Sequence, residues 1–271
     1  MNKLNAILYL SAFIAAGCAA QSPRQQDVSV DCLSSKVSNQ RAFVELKCVS
    51  SSIDFEKDIN SHEGVELKDK QKWFEVVEGT IPVVISAPHA TRPLRNGERR
   101  FSDGAGTAAL AIAIGQITGA TVIYTTYEGP SDPNYYDDNQ YKESLDSIIK
   151  DLKPKFLLDL HGSHPYRSYD IDLGTMGGES LLGHDELLSD LISHLQAEGV
   201  SSISLNRFAA SKNHTITKFA SLKNVPAIQL EINANWVSPS AGDINAQRYS
   251  LLVQALSRFV RETLNNSPNQ S

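Results

Sequence analysis

The stretch FLLDLHGSHP, residues 156–165, combines an apolar strand pattern with two ionisable side chains. Its apolar residues predict a buried β-strand, and Asp159 and His161 interrupt that strand near its end. Side chains alternate along a strand, so Asp159 and His161 project from the same face. Ionisable groups in an apolar strand are costly unless something pairs or ligates them. The stretch therefore predicts either a metal-binding arrangement or a buried neutral histidine hydrogen-bonded to an aspartate.

Strand-like and helix-like segments alternate on both sides of this stretch. The predicted strands are WFEVVEG (73–79), IPVVISAPH (81–89), TVIYTTY (121–127), KFLLDLHG (155–162), YDIDLGT (169–175), SSISLN (201–206) and VPAIQLEIN (225–233). The predicted helices are GTAALAIAIGQITGA (106–120), NQYKESLDSIIKDLK (139–153), HDELLSDLISHLQAEG (184–199) and NAQRYSLLVQALSRFVRETL (245–264). This alternation predicts an α/β fold whose central sheet is mostly parallel or mixed, with helices on both faces.

Three of the predicted strands carry a polar side chain at or near the C-terminal end, namely His89, His161 and Glu231. Ligands of open parallel sheets lie beyond these ends, so we expect the three residues to lie at one edge. Two histidines and a carboxylate can bind zinc and leave a position open for water. Zinc lowers the pKa of that water toward about 7, and a carboxylate can pass its proton to a leaving amine. The arrangement therefore predicts hydrolysis of an amide, with Glu231 as the base.

The order of the short motifs along the chain indicates a resemblance to a known protein family. Pro88-His89, an acid followed by a helix, Asp132-x-Asn134, Asp159-x-His161 and Gln-x-Glu231 follow one another in the chain. This order resembles the N-formylglutamate amidohydrolase family over roughly residues 80–260. The resemblance implies a zinc-carboxypeptidase-like fold, one bound zinc ion and cleavage of a small acyl-amino acid or peptide.

The resemblance also implies roles for single residues. His89 and His161 would be metal ligands, and Asp103, in FSDGAGTAAL, matches the acidic ligand between them. Glu98 is a nearby competitor for that role, and Asp103 could instead be a helix N-terminal residue. Glu231 matches the base of this fold group. Asp159 suits the orientation of a ligand histidine, although its spacing does not decide which histidine it orients.

The remaining candidates would either support the ligand residues or contact the substrate. Asp132 and Asn134 match the family's Asp-x-Asn segment, although Asp-Pro-Asn also favours a turn. The family's arginine before this segment has no counterpart in TTYEGPS (125–131), and we expect Arg92 to be its substitute, with a surface salt bridge as the alternative. His214, in a polar loop before the Glu231 strand, is predicted to contact substrate.

The N-terminus predicts export. Residues 1–18 have an early lysine, an apolar stretch too short to span a bilayer comfortably, and small residues before Cys18. The pattern is similar to a bacterial lipoprotein signal in which Cys18 is lipidated. An ordinary secretory signal is the alternative. We expect a lipid-anchored protein of the cell envelope, on the periplasmic side of the outer membrane.

Cys32 and Cys48 remain as an even pair, which in an exported protein suggests a disulfide; two buried free thiols are the alternative. The segments around them alternate like strands and predict a small β-hairpin appendage. We therefore divide the chain into a signal peptide (1–18), a tether and disulfide-stapled extension (19–70) and a hydrolase domain (71–271).

Composition limits the partners and the chemistry. The 271 residues carry a net charge of −6 and no basic run, which argues against a nucleic-acid partner. No Gly-x-Ser-x-Gly motif occurs, which argues against a serine hydrolase. The sequence thus predicts a zinc-dependent amidohydrolase or peptidase. The alternative is an inactive periplasmic lipoprotein of the same fold that binds a ligand.

Overall fold

The computed structural model describes residues 44–68 and 71–266. The strands are β1 (Phe74–Val77), β2 (Ile81–Ala87), β3 (Leu94–Arg95), β4 (Glu98–Arg99), β5 (Ala120–Thr125), β6 (Phe156–Ser163), β7 (Ile171–Gly174), β8 (Ile203–Leu205) and β9 (Ala227–Asn233). The α-helices are α1 (Leu46–Asn60), α2 (Gly106–Thr118), α3 (Gln140–Leu152), α4 (Asp185–Ala197), α5 (Ile216–Ser221), α6 (Ala234–Val237) and α7 (Asp243–Asn266).

Seven strands form one sheet in the order β1-β5-β2-β6-β9-β7-β8, and β3 pairs with β4 in a separate hairpin. Strands β5, β2, β6 and β9 are parallel to one another, whereas β1 and β7 run antiparallel to their neighbours β5 and β9. The sheet is therefore mixed, which confirms the predicted α/β fold. The parallel centre brings the C-terminal ends of β2, β6 and β9 to one edge.

The alternation of side chains along β6 decides where polar groups can lie. Leu158 and Leu160 face a large apolar cluster that includes α1, α2, α4 and α7. Leu157 faces the opposite cluster, which includes residues of α3 and α5. Asp159 and His161 share the face of Leu157 because they follow it at intervals of two residues. The second face is therefore apolar at the start of β6 and polar toward its end.

The predicted N-terminal hairpin is wrong where the structure describes it. Residues 46–60 form helix α1, which buries Cys48, Ser52, Phe55 and Ile59 on one side. Their spacing of three and four residues is the period of a helix, which the strand assignment overlooked. This side of α1 lies in the same apolar cluster as α2 and α7, so the boundary predicted at residue 70 does not separate two cores among the described residues.

The other N-terminal predictions lie outside the described residues. These are the signal peptide, the lipidated Cys18 and the tether up to residue 43. Cys32 also lies there, so its disulfide with Cys48 stays a prediction. Each helix within residues 44–68 and 71–266 is either too short or too polar to span a bilayer.

Candidate metal centre

Three predicted ligands converge at the polar edge of the sheet. His89 follows β2, His161 lies in β6, and Asp103 lies in the loop before α2. Asp103 Oδ2 lies 2.6 Å from His161 Nδ1 and 3.4 Å from His89 Nδ1. One ligand atom from each residue can be chosen so that all three lie within 4.8 Å of one another. A group of donors this close together could hold one metal ion.

Two backbone features hold Asp103 in this position. Its amide donates to the carbonyl of His89 at 2.8 Å, which ties the two ligands together. Gly162, directly after His161, packs against it so closely that a Cβ there would lie 2.1 Å from the Asp103 carbonyl oxygen. Glycine at position 162 thus allows the ligand loop to approach β6.

The far side of the His89 ring is held by an ion pair. His89 Nε2 hydrogen-bonds to Asp132 Oδ1 at 2.8 Å. Arg95 donates from Nε and Nη2 to Asp132 Oδ2, at 2.9 and 2.7 Å. Asp132 is fully buried, and its two oxygens are thus shared between a histidine and an arginine. A carboxylate behind a histidine fixes its ring and its tautomer, as it does in known metal sites.

The far side of the His161 ring has two partners. Asn134 Nδ2 lies 2.8 Å from His161 Nε2, and Asn134 Oδ1 accepts the backbone N–H of Ile216. Asp159 Oδ1 lies 3.3 Å from the same nitrogen and has no hydrogen bond among the described residues, although it is fully buried. Of the two histidines, His161 is therefore the one that Asp159 approaches.

The carboxylates control protonation of both histidines in the metal-free chain. Burial opposes the charge of His89, but Asp103 and Asp132 outweigh it and raise the pKa of His89 to about 9. Burial likewise opposes the charge of His161, but Asp159 and Asp103 raise its pKa well above the usual value. Burial would raise the pKa of Asp103, but the two histidines lower it to about 2. The pocket therefore stabilises positive charge, which a metal ion would also supply.

Glu231 on β9 also lies at this polar edge of the sheet. It pairs with His161 across β6 and β9, so both side chains lie on the same face of the sheet. Burial is the main cause that raises the pKa of Glu231 to about 7. Its Oε1 accepts a hydrogen bond from Gln229 Nε2 at 3.0 Å. A partly buried carboxylate beside two histidines has the properties of a general base.

Arg92 lies in ion pairs, as its alternative interpretation expected, and its role as the substitute for the family's arginine stays a prediction. Arg92 donates from Nε to Glu128 at 2.7 Å and pairs with Glu63 at 3.3 Å, so Glu128 and Glu63 engage it instead of the cluster. Arg95, in contrast, is linked to His89 through Asp132. The sequence signal near Arg95 is the dipeptide Asn96-Gly97 that follows it, which is typical of a tight hairpin turn. Both residues have positive φ angles, 53° and 80°, in the turn between β3 and β4.

Two other candidates lie elsewhere. Glu98 is exposed in the β3–β4 hairpin, so Asp103 is the acid that joins the histidines. His214 is 59% exposed and its Nδ1 pairs with Asp137 Oδ2 at 2.6 Å. Its predicted contact with substrate stays a prediction.

Comparison with known proteins gives no matching family model and no matching curated protein. Solved structures do match. N-formylglutamate amidohydrolase from Ralstonia eutropha JMP134 superposes with a TM-score of 0.51 and 14% identity, over 70% of this chain and 98% of that one. The chain shares the N-formylglutamate amidohydrolase fold. Two other hydrolases also match. A bacteriophage poly-gamma-glutamate hydrolase superposes with a TM-score of 0.47 and 17% identity, over 74% of this chain and 93% of that one. A metallo-carboxypeptidase from Burkholderia cenocepacia superposes with a TM-score of 0.48 and 10% identity, over 83% of this chain and 70% of that one. The predicted resemblance in fold is confirmed.

Proposed function

We propose that this protein is a zinc-dependent amidohydrolase or peptidase that cleaves an amide bond of a small acyl-amino acid or peptide. The observation that carries the proposal is the convergence of His89 Nδ1, His161 Nδ1 and Asp103 Oδ2 beside Glu231. Two imidazoles and one carboxylate are the donors of many catalytic zinc sites, which keep a fourth position open.

The surroundings of the histidines fit a metal on Nδ1. A ligand histidine must carry its proton on the other nitrogen and donate it to an acceptor. Asp132 is that acceptor for His89. For His161, the buried and otherwise unpartnered Asp159 Oδ1 fills the same role, once the Asn134 amide turns away from Nε2. When bound, zinc would polarise the substrate carbonyl and lower the pKa of water.

The residues of the chain supply the proton transfers. Glu231 takes a proton from the attacking water as the water oxygen adds to the carbonyl carbon. It then delivers this proton to the nitrogen of the leaving amine as the C–N bond breaks. Asp132 and Asp159 keep the two ligand rings in position, and Arg95 balances the buried charge of Asp132. The products are a carboxylate and an amine.

The compartment is a separate proposal that rests on the sequence alone. The residues before Cys18 support lipidation of that cysteine and attachment to the cell envelope. A substrate in this compartment would be a small acyl-amino acid or a peptide fragment that reaches the periplasm.

The first test is the metal content of the purified protein and of three variants. We expect about one zinc per chain in the wild type, in Glu231→Gln and in the surface control His184→Ala, and none in His161→Ala. The wild type and His184→Ala should cleave N-acyl amino acids or short peptides, whereas Glu231→Gln should bind zinc but cleave none of them. Absence of zinc from the reconstituted wild type would refute the proposal. Zinc without turnover of any substrate would instead favour the ligand-binding alternative.

A further inference from the structure

Gln229 is the only described residue that donates a hydrogen bond to the carboxylate of Glu231. The bond goes from Gln229 Nε2 to Glu231 Oε1 and measures 3.0 Å. The two residues lie two positions apart on β9, so their side chains share the face that carries the metal centre. This contact occupies Oε1 and leaves Oε2 for the proton transfers of the base.

The orientation of the Gln229 amide follows from its neighbours. Its Nε2 also donates to the carbonyl of Phe208 at 3.3 Å, and the side chain is 4% exposed. Glu231 Oε1 and the Phe208 carbonyl are both acceptors, so a reversed amide would place its oxygen against two oxygens. The NH₂ group is thus fixed between them, and the position of Phe208 determines that of Gln229.

The Phe208 carbonyl is in turn fixed by Asp172 on β7. Asp172 Oδ2 accepts the N–H of Phe208 at 2.8 Å, and Oδ1 accepts the N–H of Arg207 at 3.1 Å and the Ser204 hydroxyl at 2.6 Å. Asp172 is fully buried. A buried carboxylate with three donors is a rigid anchor because each lost donor leaves part of its charge unsatisfied.

Gly174 makes room for this carbonyl. It pairs with Gln229 across β7 and β9. A Cβ at position 174 would lie 2.3 Å from the Phe208 carbonyl oxygen and 3.3 Å from the Gln229 Cβ. The backbone of loop 206–209 can therefore reach Gln229 only if residue 174 lacks a side chain.

We propose that Gln229 is a positioning residue for Glu231, held in place by the loop that Asp172 and Gly174 anchor. The inference rests on the proposed function, in which Glu231 is the base. Without Gln229 the carboxylate of Glu231 would lose this hydrogen bond, whereas none of the hydrogen bonds of His89, Asp103 and His161 involves Gln229. A base misplaced by about 1 Å costs on the order of 100-fold in rate.

The test compares Gln229→Met with a matched control, Gln254→Met. Gln254 is equally buried and also donates to a glutamate, Glu198 Oε2 at 2.7 Å. It lies on α7, which packs in the apolar cluster on the other face of the sheet. In crystal structures we expect one Glu231 position in the wild type and in Gln254→Met, and a displaced or split carboxylate in Gln229→Met. This readout needs no substrate.

Kinetics provide the second readout. We expect kcat of Gln229→Met to fall about 10- to 100-fold, with KM within about twofold of the wild type and unchanged zinc content. Gln254→Met should keep the wild-type kcat. Should Gln229→Met fail to fold, Gly174→Ala provides the same test, because it displaces the Phe208 carbonyl and should lower kcat in the same way.

Three results separate the possibilities. An unmoved Glu231 carboxylate and an unchanged kcat in Gln229→Met would overturn the inference. An equal loss of kcat in Gln254→Met would do so too, because it would indicate a general effect of losing a buried amide. If the wild type cleaves no substrate but Glu231 moves in Gln229→Met, the proposed function fails while the positioning role stands.

Discussion

Replacing Gly162 by alanine tests whether the approach of the Asp103 loop to β6 builds the metal centre. The new Cβ would lie 2.1 Å from the Asp103 carbonyl oxygen and 3.3 Å from the Asp103 Cβ. Since a carbon and a non-bonded atom rest comfortably at roughly 3.5 Å, the carbonyl oxygen of Asp103 must retreat by about 1.4 Å. Metal–ligand distances tolerate deviations of only about 0.2 Å, so Asp103 should stop being a ligand in the same geometry as His89 and His161.

The expected consequence is weaker metal binding with a modest loss of stability. We expect the zinc affinity of Gly162→Ala to fall at least about 10- to 100-fold, the range seen when a residue supporting a ligand is lost. Forcing a methyl group into a packed site should lower the free energy of unfolding by about 1–3 kcal/mol. Zinc affinity can be measured by competition with a chelator, and stability by urea denaturation.

The matched control is Gly79→Ala. There the new Cβ would lie 2.2 Å from the carbonyl oxygen of Gly119, the same kind of clash at the opposite edge of the sheet, before β2 and β5 begin. Gly79→Ala should lose at least as much stability, because its Cβ would also lie 2.4 and 2.5 Å from backbone atoms of Ala120 and Thr121, and should keep the zinc affinity of the wild type. Wild-type zinc affinity in Gly162→Ala would refute the reasoning, as would an equal loss of affinity in both variants.

Three further predictions follow from the contacts. Glu231→Gln should keep its zinc and lose about 100- to 10,000-fold in kcat, as measured by amine release; full activity would exclude Glu231 as the base. Asp132→Asn removes the charge between His89 and Arg95, and zinc affinity should fall about 10- to 100-fold, whereas an unchanged chelator competition curve would contradict this role. Burial raises the pKa of Glu56, which accepts the N–H of Ser240, so the folded state holds this proton at a higher pH than the unfolded state. The free energy of unfolding of the wild type should therefore decrease relative to that of Glu56→Gln as pH rises from about 4.5 through the pKa of Glu56 in the folded state. A constant difference between the urea midpoints of the two proteins across this range would contradict the prediction.

The strands of the central sheet and helices α2, α3, α4 and α7 could be predicted from the sequence because their signals are local, whereas the β3–β4 hairpin and the short helices α5 and α6 were not predicted. An apolar run identified β6, and a longer apolar segment identified α2, which ends before Gly119 with its left-handed φ of 86°. The same approach failed for α1. Its sequence has a helical spacing of buried residues, but the strand-like alternation near Cys48 led to the hairpin assignment.

The candidate site was predictable where it depended on strand ends. In a parallel sheet, one edge collects the C-terminal residues of successive strands, so His89, His161 and Glu231 could be grouped without coordinates. Asp103 lies in a loop with no periodic signal, and only the family resemblance selected it over Glu98. The structure supports that choice, because Asp103 contacts both histidines and Glu98 faces solvent.

The sequence by itself determined the α/β class and the polar edge at which His89, His161 and Glu231 meet, because hydrophobic periodicity and strand alternation act over a few residues. Tertiary structure decided the partners of these side chains. It placed Arg95 behind His89 through Asp132, paired Arg92 with Glu128, and brought Gln229 against Glu231. Such pairings depend on loops that are distant in the chain and meet only after the sheet has formed, and no local pattern in the sequence encodes the distance between them.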